Sequence, residues 1–177
     1  MCVFIALKKM QLTHYNTHFT KQTFPITLVC DNITNAPNIG SLFRTADAFG
    51  VERIIFCGSP IPKGRKMTKT SRATENIVPF DEKETILETL DQLKSENYFL
   101  ISLEITNNSQ EINTFRFPHN QKIALIIGDE NFGISETVLT LSDAIIHINM
   151  FGQNSSMNVV QATSIALYEI TKQVSKK

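Results

Sequence analysis

No surplus of charge marks this chain: Lys plus Arg and Asp plus Glu are each 17, for a formal net charge of zero. Proteins that live on phosphate backbones often carry an excess of positive charge. Its absence confines any nucleic-acid contact to a local patch or to help from a partner subunit. Cysteine is sparse too, with Cys2, Cys30 and Cys57 far apart and no CxxC pair. Zinc and redox-dithiol chemistry therefore find no support. Cys30 and Cys57 sit in apolar runs and read as buried thiols in a reducing compartment. Of the four histidines only His14 and His18 have a suggestive spacing. No carboxylate or thiol cluster accompanies them, so no metal site is expected. No apolar run is long enough to span a bilayer, and Met1–Leu7 is followed by Lys8-Lys9, the wrong charge order for a secretory signal. The expected setting is cytoplasmic, without membrane. Internal repeats and low-complexity linkers are missing as well.

What is present is a chain of 177 residues, 42% of them hydrophobic, enough for one core. Met10 is as plausible a start as Met1, and residues 1–24 read as a tail or extension before a domain over 25–177. From Pro25 onward apolar runs alternate with amphipathic helical patterns, which favours an α/β layered domain. Strands are expected at Ile26–Cys30, Arg53–Cys57, Ile77–Phe80, Tyr98–Ile105, Lys122–Ile127 and Ala144–Ile148. Helices are expected over Asn38–Gly50, Glu82–Lys94, Ser135–Leu141 and Ser156–Val174. Residues 58–75 read as turn-rich and basic, and 106–121 as a polar loop.

Three remote stretches join an apolar run to a turn or helix start, where backbone groups are free to hold a small polar ligand. In Gly128-Asp-Glu-Asn-Phe-Gly133, two glycines let backbone approach a ligand at the end of a buried strand. The segment matches neither GxGxxG nor a P-loop, and Asp129 and Glu130 would repel a pyrophosphate. A ligand with a ribose and an amine, such as S-adenosylmethionine, suits those carboxylates better. A plain glycine turn is the alternative. In Ile148–Asn158, Ser155 or Ser156 is placed to cap the closing helix, and ordinary capping explains part of that polar run. Asn38 is placed to cap the first helix, which puts Arg44 in its second turn among apolar neighbours. There its fork of donors suits a phosphate or a developing alkoxide, although a solvated surface arginine is the plainer reading.

Taken in order, NxGxxxR at Asn38, Gly40 and Arg44, with Arg44-Thr-Ala-Asp-Ala-Phe-Gly50 continuing it, GxExxG at Gly128, Glu130 and Gly133, and the run at Ile148, Met150, Gly152, Ser156 and Asn158 resemble the three motifs of the SpoU–TrmH RNA 2′-O-methyltransferases. These belong to the SPOUT superfamily. The resemblance covers roughly residues 25–173 and the chain resembles the family's minimal members. Asn149 stands where the family usually has proline, and Met157 replaces the usual leucine. The resemblance implies a mostly parallel sheet flanked by helices, a deep carboxyl-terminal trefoil knot and a homodimer. It also implies S-adenosylmethionine held by Ile127, Gly128, Glu130, Gly133, Ile148, Met150, Ser156, Met157 and Asn158. Arg44, acting near the partner subunit's cofactor, is implied to activate a ribose 2′-hydroxyl of tRNA or rRNA, with Asn38, Glu130, Ser156 and Asn158 as its companions.

A guanidinium with a pKa above about 12 is a poor base, so electrostatic stabilisation of the 2′-oxygen is the preferred role for Arg44. Lys63, Arg65, Lys66, Lys69 and Arg72 form an acid-free basic stretch suited to phosphates or simply to solvent. Aromatic platforms are few, and Phe132 and Phe151 in the site loops either pack the adenine or fill the core. The alternative reading is a catalytically silent RNA-binding or ribosome-assembly module. Methylation of a base nitrogen would want a further acid–base group, for which no candidate stands out.

Overall fold

The computed structural model describes Thr17 and residues 19–175. The alternative start at Met10, Cys2, the His14–His18 pair and most of the 1–24 extension lie outside the described residues. Seven strands run β1 (Phe24–Asp31), β2 (Val51–Cys57), β3 (Phe80–Lys83), β4 (Tyr98–Leu103), β5 (Gln110–Glu111), β6 (Lys122–Ile127) and β7 (Ala144–His147). They pair in the order β3-β2-β1-β6-β4-β7-β5, every pairing parallel. A parallel sheet has both faces covered, which is why β1 and β6 are nearly continuous apolar runs. Ile26, Leu28 and Cys30 of β1 face one core cluster while Val29 faces the other.

The helices are α1 (Ala36–Ala48), α2 (Arg65–Ser71), α3 (Ile86–Ser95), α4 (Glu136–Leu141) and α5 (Val159–Val174). Helices α1 and α5 cover one face through Ile39, Leu42, Phe43, Ala46, Ala166, Leu167 and Ile170. Helices α3 and α4 cover the other through Leu90, Leu93 and Val138. Phe43 is fully buried and meets Phe56 at 5.6 Å and Phe80 at 5.1 Å between ring centroids. The result is a three-layer α/β/α arrangement, as the alternation of patterns predicts.

Several boundaries differ from the sequence expectations. Helix α1 begins at Ala36, capped by Asn35, whose Oδ1 accepts from the Asn38 amide at 3.2 Å. Asn38 therefore lies inside the first turn, and Arg44 in the third rather than the second. The strand expected at Ile77–Phe80 starts only at Phe80, because the chain first closes a 3-10 turn over Thr74–Asn76 and leaves Ile77 exposed. Glu82 and Lys83, assigned to a helix, extend that strand, and α3 starts at Ile86. The polar stretch 106–121 hides short β5 and buries Ile112, Phe115 and Phe117. Gln173 of α5 holds it, accepting from Phe117 N at 3.2 Å and donating to Phe115 O at 3.0 Å.

Residues 58–64 are irregular as expected, but Arg65–Ser71 of the basic stretch form helix α2 rather than a loop. Its inward residues Met67 and Ser71 are buried, and it ends at Arg72 and Ala73, both left-handed, without the glycine that would have signalled a stop. Gly40 makes its close docking on α1 feasible: a Cβ there would stand 2.1 Å from Thr70 Oγ1 and 2.2 Å from the Met67 carbonyl oxygen. Gly40→Ala must push α2 outward, and the expected cost is about 1–3 kcal/mol in a urea melt.

Candidate active site

Because every strand is parallel, all carboxyl ends emerge on one edge, the usual place for a ligand crevice. A cavity of about 780 Å³ lies there, walled by the segments leaving β4, β6 and β7 and by the start of α5. Ile127, Gly128, Glu130, Gly133, Ile148, Met150, Ser156, Met157 and Asn158 all line it. Segments separated by some 20 residues in sequence thus meet around one space.

The loop after β6 is held from within. Asp129 Oδ1 accepts from the amides of Asn131 (2.7 Å) and Phe132 (3.0 Å), and Gly133 N donates to Asp129 O at 2.9 Å. Gly133 has φ +67°, and a Cβ on Gly128 would lie 2.4 Å from the Gly133 carbonyl carbon. Only this glycine pair lets the loop fold back so tightly. Sequence reading missed Glu104, which accepts from Ile134 N at 3.0 Å and from Ile105 N at 2.9 Å and lines the cavity with Leu103, Ile105 and Thr106. Their position at the carboxyl end of a parallel strand was the available signal.

One hydrogen-bonded chain ties the three motifs together. Asn38 Nδ2 donates to Glu130 Oε1 at 2.6 Å, and Asn158 Nδ2 donates to Asn38 Oδ1 at 3.2 Å. Asn158 Oδ1 in turn accepts from Val160 N at 2.9 Å and caps α5. The cap is therefore Asn158, not Ser155 or Ser156, because the chain stays irregular through Met157. Asn38 is free to bridge because Asn35 does the capping.

Arg44 does not face this cavity. It is exposed, forms no side-chain hydrogen bond or ion pair among the described residues, and lines a separate depression with Ser41, Thr45, Lys69, Thr70 and Ser164. Of the basic stretch, Lys63 is tied up with Glu82 at 2.6 Å, an interaction that holds the Glu82 carboxyl below its ordinary range. Arg65, Lys66, Lys69 and Arg72 are exposed. Phe132 is 90% and Phe151 95% exposed, so neither fills the core.

The SpoU rRNA Methylase family model fits residues 25–168. The chain belongs to that family. It is 32% identical over 168 residues to the 23S rRNA (guanosine-2′-O-)-methyltransferase RlmB of Blochmanniella floridana, covering 90% of this chain and 63% of that one. A putative TrmH family tRNA/rRNA methyltransferase of Staphylococcus aureus is 31% identical, covering 85% of this chain and 60% of its own length. The chain thus spans less than two thirds of these curated relatives. Among solved structures, the SpoU methyltransferase AviRb of Streptomyces viridochromogenes in complex with AdoMet superposes with a TM-score of 0.76 at 25% identity, over 90% of this chain and 60% of that one. The A. aeolicus TrmH/SpoU tRNA modifying enzyme shares the fold, with a TM-score of 0.79 at 23% identity over 88% of this chain and 78% of that one.

Elsewhere the thiols of Cys30 and Cys57 are buried and unpaired, and burial pushes both pKa values up, which keeps them protonated. Among the described residues no cluster is placed to hold a metal ion and no helix is long and apolar enough to cross a membrane.

Asp31, at the carboxyl end of β1, has its pKa raised, first by burial and then by repulsion from Asp129, against the lowering bond from Asn32. A carboxyl whose folded pKa is raised binds its proton more tightly when folded. Stability is then lost as pH rises from the unfolded value through the folded one. Asp31→Asn removes that penalty. A gain in melting temperature is expected at pH 7, vanishing near pH 3, as calorimetric scans at both values would read.

Proposed function

We propose that this chain transfers a methyl group from S-adenosylmethionine to a ribose 2′-hydroxyl of structured RNA, tRNA or rRNA, as a homodimer. The observation that carries the reading is the Glu130–Asn38–Asn158 chain of hydrogen bonds, which unites three motifs 92 and 120 residues apart at the rim of one cavity. The domain responsible is 25–177, and the order β1-β6-β4-β7 with α5 packed back on α1 supports a carboxyl-terminal trefoil knot.

The cavity fits the cofactor. Its volume lies in the range that encloses a nucleoside-sized ligand. Glu104, Asp129 and Glu130 keep acceptor positions for hydroxyl and ammonium groups beyond the bonds they already make. Among the described residues His147 Nδ1, buried in the cavity wall, has no hydrogen-bond partner. When bound, S-adenosylmethionine supplies an electrophilic methyl on its sulfonium. Ile127, Gly128, Glu130, Gly133, Ile148, Met150, Ser156, Met157 and Asn158 hold it, while Asn38 fixes Glu130 and Asn158 relative to each other.

Arg44 supplies what one protomer's cavity lacks, a cation. Contributed by the partner copy, its fork of donors stabilises negative charge on the 2′-oxygen as the proton leaves to the neighbouring RNA phosphate. Exposed Ile165 (41%) and Tyr168 (59%), which follow Ser164 of the Arg44 depression along α5, offer the apolar surface for that second copy. Arg65, Lys66, Lys69 and Arg72 hold the RNA backbone, while Lys63 joins them only by leaving Glu82.

Calorimetric titration with S-adenosylmethionine, joined to mass spectrometry of 2′-O-methylated nucleosides in RNA from a deletion strain, tests the reading. Saturable binding and the loss of one 2′-O-methylated nucleoside are expected. No cofactor binding would favour the silent RNA-binding module.

A further inference from the structure

We propose that Phe132 and Phe151 form a stacking platform for an unpaired base of the RNA beside the methylated ribose, a role that rests on the function proposed above. In the single chain both rings stand almost wholly in solvent, at 90% and 95% exposure. Phe132 borders the cavity, and Phe151 lies between Met150 and Ser156, which both line it. The two rings therefore mark the rim where a substrate ribose must enter.

Exposure here is not slackness of the backbone at Phe132. Its amide is bonded to Asp129 Oδ1, and the flanking Asn131 and Gly133 amides are bonded as well. The loop holds the backbone that carries the ring, which lowers the ordering cost of binding a flat partner.

The surroundings select the partner. Around the rings the loops are polar: Asn131 on one side, Gln153, Asn154 and Ser155 on the other, all exposed. A protein interface would want a contiguous apolar patch. Isolated aromatic faces among amide groups suit a nucleobase, whose faces stack and whose edges exchange hydrogen bonds with amides. A regular A-form helix displays its 2′-hydroxyls along a shallow minor groove, whereas an unpaired base can be splayed out onto an aromatic face. Stacking an adjacent base on protein would hold the strand open at the reacting sugar.

Phe132→Ala, Phe151→Ala, the double variant and the two Trp replacements test this, since exposed side chains are replaced without disturbing the core. RNA from a deletion strain serves as ligand in filter binding and, with labelled S-adenosylmethionine, as acceptor. The double alanine variant should weaken RNA binding and raise the KM for RNA about tenfold or more, with the Trp variants retaining affinity. Cofactor affinity by calorimetry and mass by light scattering should not change. Unchanged RNA binding overturns the platform. So does a loss confined to cofactor affinity, which would mean adenine packing, or a change of mass, which would mean a contact between copies. Wild-type protein that binds RNA through the rings yet transfers no methyl would leave the platform standing and sink the methyl-transfer reading.

Discussion

Arg44→Ala should lower methyl transfer about 10²–10³-fold, the usual cost of removing a preorganised charge from a developing oxyanion, and leave cofactor affinity intact. The second half follows from geometry, since Arg44 lies outside the 780 Å³ cavity. If the arginine serves the partner's cavity, a second result follows. Gly128→Ala forces a Cβ to within 2.4 Å of the Gly133 backbone and should spoil cofactor binding in its own protomer. Each variant alone is then inactive, but co-expressed they should regain roughly a quarter of the wild-type rate. About half the dimers are mixed, and each mixed dimer holds one complete site. No recovery in a purified mixed dimer would place arginine and cavity in the same chain and remove the trans arrangement. Arg44→Lys keeps the charge and loses the fork. Turnover near that of wild type would overturn the role given to the fork.

Periodicity carried most of the sheet. The runs at 26–30, 53–57, 122–127 and 144–148 are each apolar but for one residue (Thr27, Arg53, Lys122 and His147) because parallel strands are buried on both faces, so they stand out from the sequence. Elements whose burial is set by a neighbour rather than by their own pattern were not legible. Helix α2 is seven residues long, rests on Gly40, and ends on two left-handed residues that are not glycine. Phe115 and Phe117 lie in a stretch that reads as polar, and only α5 folding back over it makes them core. The three motifs were visible as strings, but the meeting of the second and third around one cavity, with Asn38 of the first bonded to both, needed the placement of β6 between β1 and β4. The part taken by Asn38 was hidden for a local reason: Asn35, three residues earlier, competes for the cap and wins, which turns the Asn38 amide outward.

That outward amide makes Asn38→Asp the sharpest test of the site's assembly. Asn38 donates to Glu130 and accepts from Asn158, so it is the only member of the trio bonded to both others. Replacing its Nδ2 with oxygen sets a second carboxyl against Glu130 Oε1, where a donor stood at 2.6 Å. Losing a hydrogen bond to a charged group costs about 1.5–3 kcal/mol when buried. Glu130 is exposed, so solvent screening favours the lower end, near a tenfold loss of cofactor affinity at pH 7.5. The sign of the pH dependence separates this account from a general loosening of the loops. Two facing carboxylates raise the pKa of one of them, and a single shared proton restores a donor between them. Affinity of the Asn38→Asp protein should therefore recover as pH falls towards 5. Asn38→Ala, with no proton to regain, should lose similar affinity and show no such recovery. Calorimetric titrations of both proteins across that range, each normalised to wild type at the same pH, read the difference. Parallel curves for the two variants would mean that Asn38 holds nothing in place through Glu130.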